Sequence, residues 1–163
     1  LLENNASIEA AKKFGWTSLT IASENGNVDV VKLLLEKKAS TEAIGRYGET
    51  PLNNASVNGH VDVVKVLLGN KASTEAVDES ALPPLGYTPL YLAYLHGHVD
   101  VMKVLLENKA SIETADEKGI TPLINATLHV NVRVVKALLQ NKASIEAVTE
   151  NGETPLILVS RYG

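Results

Sequence analysis

Apolar positions along this chain fall into two alternating patterns. In the first, a leucine and an alanine lie three residues apart, as in Leu52 and Ala55 or Leu90 and Ala93, so both occupy one face of a short helix. The second is denser. Val28-Asp29-Val30-Val31-Lys32 leads into Leu33-Leu34-Leu35, and close copies begin at Val61, Val99 and Val132. This predicts a second, more hydrophobic helix. Start and stop signals bracket the first helices. In Thr50-Pro51, Thr88-Pro89 and Thr121-Pro122 the threonine hydroxyl can cap a free amide, and proline fills the first helical position, where its missing N–H costs nothing. Gly26, Gly59 and Gly97 then end each short helix in the left-handed conformation. The segments beginning Ala39-Ser40-Thr41-Glu42, Ala72, Ala110 and Ala143 read as extended turns between units.

The pattern has one period. The threonines at 17, 50, 88, 121 and 154 are spaced by 33, 38, 33 and 33 residues, and the Val-Asp-Val-Val-Lys and Ala-Ser-x-Glu motifs keep step with them. Three interleaved motifs in register define a repeat protein, in which one unit cannot bury its own apolar face and stability comes from stacking neighbours. A 33-residue unit with Thr-Pro-Leu, Gly-His, Val-Val-x-x-Leu-Leu and a closing alanine resembles the ankyrin repeat over essentially the whole chain. The resemblance implies an all-α solenoid, with antiparallel helix pairs stacked side by side and β-hairpin-like loops projecting from one edge. Within a single domain over 1–163, full repeats are expected at 11–43, 44–76, 77–114 and 115–147. Residues 1–10 match the tail of a preceding repeat and 148–163 the head of a following one.

Departures from that pattern are informative. The family's histidine after Thr-Pro-Leu is replaced by Thr20, Asn53, Tyr91, Ile124 and Ile157. Asn53 and Tyr91 are expected to keep a polar link between hairpins, which isoleucine cannot. Lys38, Lys71, Lys109 and Lys142 stand where the family has glycine after the second helix. A preserved loop would hold them at positive φ, at about 1 kcal/mol each. Val130 replaces the glycine that ends the other first helices, and a β-branched residue resists that conformation. The helix is therefore expected to end differently there, with Asn131 at positive φ or the helix overrunning by a residue. Glu42, Glu75, Glu113 and Glu146 form one charged column and Lys32, Lys65, Lys103 and Lys136 another, both read as solvated faces.

Composition narrows the function. Fifteen Lys and Arg against nineteen Asp and Glu give a net charge of -4, which argues against a non-specific nucleic-acid partner. With no cysteine, thiolate metal sites and cysteine nucleophiles are excluded. Gly69-Asn70-Lys71-Ala72-Ser73 lacks phosphate-loop spacing, and His96-Gly97-His98 has no third ligand nearby. No catalytic residues, cofactor or metal are expected. His60 and His98 read as structural caps of Gly-His turns. No signal peptide or membrane-spanning run is visible, and the sequons at Asn54 and Asn125 fall inside helices where a glycan would obstruct packing. An intracellular setting, cytoplasmic or nuclear, is expected, without membrane insertion and as a monomer.

Partner-binding residues are suggested by position and chemistry. All the aromatics (Phe14, Trp16, Tyr47, Tyr87, Tyr91, Tyr94 and Tyr162) lie in the hairpin and first-helix half of the units. In ankyrin-like arrays that half lines the concave binding surface. Between Asp78 and Gly86 one hairpin carries seven residues where other repeats have two, and its Leu82-Pro83-Pro84-Leu85 is apolar and stiff. The expected function is a non-enzymatic scaffold binding a protein partner through Trp16, Arg46, Tyr47, Leu82, Pro83, Pro84, Leu85 and Tyr87. Leu95, His96, Leu128 and His129 would line the adjacent helix surface. The alternatives are a structural spacer within a longer array, or an engineered array.

Overall fold

The computed structural model describes residues 16–45, 48–76, 87–116 and 118–162. Among these, the chain forms nine helices: α1 Ser18–Glu24, α2 Val28–Glu36, α3 Pro51–Val57, α4 Val61–Gly69, α5 Pro89–Leu95, α6 Val99–Glu107, α7 Pro122–Leu128, α8 Val132–Gln140 and α9 Pro155–Tyr162. Odd and even helices pair, α1 with α2 through α7 with α8. The odd helices also stack on one another from α1 to α9, and the even ones from α2 to α8, giving two layers. No continuous sheet occurs among the described residues, in keeping with an all-α solenoid.

Each first helix starts as its sequence dictates. The hydroxyls of Thr17, Thr50, Thr88 and Thr121 accept from the amides of Thr20, Asn53, Tyr91 and Ile124, and proline follows the last three of these threonines. Thr50 and Asn53 complete a reciprocal capping box. The leucines at the second helical position, Leu19, Leu52, Leu90 and Leu123, are all buried. So are Ala22, Ala55, Ala93 and Ala126, whose small side chains let neighbouring helices approach closely. From the even layer Leu34, Leu67, Leu105 and Leu138 close the same core.

Helix ends explain two of the departures. Lys38, Lys71, Lys109 and Lys142 do sit at φ of 67°, 68°, 68° and 66°. The amide of the lysine and that of the following alanine donate back into the last turn, as in Lys38 to Leu35 and Ala39 to Leu34, satisfying carbonyls that would otherwise be orphaned. At the ends of the first helices Gly26 and Gly59 serve two purposes. Their φ values are 71° and 74°, and a Cβ there would meet Nδ1 of His60 at 2.7 Å and of His98 at 2.6 Å. Glycine makes the turn without strain and leaves the room the next histidine occupies.

The expectation at Val130 is overturned. Val130 itself takes the glycine-like conformation, φ 53°, and Asn131 stays at φ −82°. The amides of Val130 and Asn131 donate to Thr127 and Ala126, as those of Gly97 and His98 donate to Tyr94 and Ala93. Asn131 is committed elsewhere: its side chain accepts from the Val134 amide and caps α8. Moving the strain onto Asn131 would forfeit that cap, so Val130 bears it, with its side chain 77% exposed.

Candidate functional site: the hairpin and first-helix edge

Three of the loops leading into the first helices are each closed by a backbone bond. Gly45 donates to the Glu49 carbonyl at 2.8 Å, Asp116 to Ile120 at 3.2 Å and Thr149 to Glu153 at 3.1 Å. In the second of these, the Asp116 carboxylate also accepts from the amides of Lys118 and Ile120, both at 2.9 Å. Hairpins of successive units are tied together, Glu150 donating to the Lys118 carbonyl at 2.9 Å. The Asn53 amide, fully buried, ties α3 to the next unit by donating to the carbonyls of Ala76 at 3.3 Å and Tyr87 at 3.2 Å, which flank the loop before α5. Tyr91, at the matching position of α5, instead contributes ring contacts: it stacks on Tyr87 with centroids 4.4 Å apart and meets Tyr94 edge-on at 4.7 Å. Burial pushes the Tyr94 hydroxyl well above the ordinary tyrosine range, and that hydroxyl has no hydrogen-bond partner among the described residues.

The residues singled out for partner binding divide into those the structure places and those outside it. Arg46, Tyr47, Leu82, Pro83, Pro84 and Leu85 lie outside the described residues. Trp16 is half-buried just before α1, its indole N–H enclosed without a partner among the described residues. Tyr87 is half-buried against Tyr91. Leu95 and Leu128 occupy the last positions of α5 and α7, which pack together, and both are exposed, at 46% and 38%. His96 and His129 follow them as C-caps, each bonding through Nδ1 to the carbonyl four residues back at 3.0 Å. Asn25 and Asn58 make the same bond from the same position, so the histidines share a helix-ending role while their rings face solvent.

Three features escaped the sequence. The glutamate column is more than a solvated face: Glu42, Glu75 and Glu113 each accept from the backbone amide of a serine in the next unit, Ser73 at 3.0 Å, Ser111 at 3.0 Å and Ser144 at 2.7 Å. The hydroxyls of Ser40, Ser73 and Ser144 in turn accept from the amides of Glu42, Glu75 and Glu146, fixing the turn that aims the column. His60 and His98 keep the structural capping role read from the Gly-His turns, but across units: their Nε2 atoms bond the carbonyls of Glu24 and Val57, the last residues of α1 and α3, both at 2.9 Å. The third feature was in plain view. The aspartate of the second-helix motif, Asp29, Asp62 and Asp100, is Arg133 in the fourth copy.

Chemically, this edge offers the half-buried Tyr87–Tyr91 stack at the start of α5 and exposed leucines at the ends of α5 and α7. Among the described residues no group of three or more His, Asp or Glu is placed to hold a metal. The rings of His96 and His98 stack 6.2 Å apart, and each is committed to a backbone carbonyl. No helix among the described residues is long and apolar enough to cross a membrane.

Family models of ankyrin repeats match residues 1–78, 55–106 and 90–139. A comparison with curated proteins finds no match. Ankyrin repeats are generally protein–protein interaction modules, and proteins built from them are typically non-enzymatic scaffolds. With its period, its paired helices and these matches in agreement, the chain belongs to the ankyrin repeat family.

Proposed function

We propose that this chain is a single ankyrin array that acts as a monomeric, intracellular scaffold, holding a protein partner against its hairpins and first-helix ends. The observation that carries the reading is the pair Leu95 and Leu128, large apolar side chains exposed at equivalent positions of two packed helices. The first such position, on α1, holds Glu24 instead. Beside Leu95 the Tyr87–Tyr91 stack adds rigid aromatic surface, and Trp16 holds in the first unit the position that Tyr87 holds in the third. Stiff groups of this kind bury area with little loss of side-chain entropy. The proposed contact set also includes Arg46, Tyr47 and the segment from Leu82 to Leu85 in the longest hairpin. The intracellular assignment is supported by the sequons, whose Ser56 and Ala126 are buried in α3 and α7.

The test begins with affinity capture of a binding protein and its identification. Alanine replacement of Trp16 or Leu95 is then expected to weaken binding by about 2 kcal/mol or more, with the helical circular dichroism unchanged. Lys65→Ala on α4 should leave the affinity intact. Loss of binding in the Lys65 variant with none in the Trp16 and Leu95 variants would place the contact on the opposite layer.

A further inference from the structure

We propose that the groove between α6 and α8, on the second-helix layer and away from the hairpins, docks an acidic segment of a partner protein. This groove has a volume of about 480 Å³, in the range of sites that hold ligands. Its floor is apolar, formed by Val99, Val101 and Ala137, and its rim carries Lys103, Arg133 and Lys136. One carboxylate, Asp100, faces these three cations, and it is already bonded to Lys103 at 3.2 Å. Arg133 and Lys136 are exposed and have no acidic partner among the described residues. A chain with a net charge of -4 thus concentrates unpaired positive charge along one groove.

Comparison with the other units shows that this charge is not a by-product of the repeat. The second residue of α2, α4 and α6 is an aspartate, which suits the positive end of a helix dipole, and in α4 and α6 it also bonds the lysine three residues on. In α8 that residue is Arg133, which opposes the dipole and leaves Lys136 unpaired. The exchange works against local stability and falls on the wall of this groove. Arginine in that place presents a fork of donors suited to a carboxylate, and the apolar floor accepts the aliphatic part of the same segment.

The probe is hexaglutamate titrated into the 15N-labelled chain and followed by amide chemical shifts, with hexalysine, inorganic phosphate and a single-stranded RNA as parallel arms. Saturable shifts confined to the amides of α6 and α8 are expected with hexaglutamate alone, weakening as salt is raised. Arg133→Asp restores the residue of the other units, so it should fold at least as well, and it should lower the affinity about tenfold. Arg133→Gln, which removes charge without adding any, should lower it about threefold and carries the test if the aspartate variant does not fold. Lys65→Gln, outside the groove, should change nothing. The proposal fails if the shifts are unsaturable or spread over every cationic helix, or if the Arg133 variants bind as the parent does. It fails equally if phosphate or RNA, and not hexaglutamate, fills the groove.

Discussion

Val130 is the most strained of the helix-ending residues, and Val130→Gly should stabilise the protein. An L-residue in the left-handed region costs about 1–2 kcal/mol, with a β-branched side chain toward the upper end. Little packing is lost in exchange, because the valine side chain is 77% exposed. Glycine's extra freedom in the unfolded chain takes back about 0.5–1 kcal/mol. The net gain is about 0.5–1 kcal/mol, or about 1–4 °C in Tm for a chain of this length. Urea unfolding followed by circular dichroism measures it as a higher midpoint at unchanged slope. Two reverse substitutions separate the causes. At Gly97 a Cβ would approach nothing closer than Asn131 Nδ2 at 3.7 Å, so Gly97→Val should lose only the dihedral energy, about 0.5–1 kcal/mol. At Gly59 the added Cβ would strike the His98 ring at 2.6 Å, so Gly59→Val should cost clearly more. Equal stability of Val130→Gly and the parent, or equal losses in the two valine variants, would refute this reasoning.

Other outcomes follow from the packing. Ala55→Leu inserts a side chain where exposure is 0% and should destabilise by about 1–3 kcal/mol, read by the same urea titration. Asn53→Ala removes the capping box and both bonds to the loop before α5, and should cost about 2–3 kcal/mol. Replacing Glu75 by alanine should cost about 0.5–1 kcal/mol by loss of the Ser111 bond, and by glutamine less, since the amide oxygen still accepts. Above pH about 10 the unfolded chain releases the Tyr94 proton and the folded chain retains it, so stability should fall as pH rises. Tyr94→Phe should flatten that fall and, by deleting a buried hydroxyl without a partner, leave neutral-pH stability unchanged or higher.

What could be read from the sequence was local. Thr50-Pro51 specifies its own cap, and the pairing of Leu52 with Ala55 specifies the buried face, because both signals act within one turn of helix. Lys71 at positive φ was legible too, since the repeat fixes the loop whatever the residue. The failures involve competing or distant partners. Val130 was misjudged because Asn131, the better left-handed residue, is held by its cap to Val134. The role of Glu75 was hidden because its partner is a backbone amide 36 residues away, which leaves no trace in the side-chain pattern. Arg133 is masked by a hydrophobic motif whose flanking valines and lysine match the other copies. Of the proposed partner-binding edge, the exposed Leu95 and Leu128 could be anticipated from the repeat register, whereas the end-capping bonds of His96 and His129 depend on geometry around the turn.

The histidine ties have a mechanical consequence. His60 rivets the second unit to the carbonyl of Glu24, and His98 rivets the third to that of Val57. At the next junction Asn131 caps its own helix, and among the described residues it sends no bond across. There the even layer is held by α6–α8 packing and by the exposed Glu113–Ser144 bond. Stretched end to end, the array should behave as a chain of unequal springs whose softest link lies between α6 and α8. Tension applied through the C-terminal units would open that seam first and leave the riveted N-terminal pairs intact.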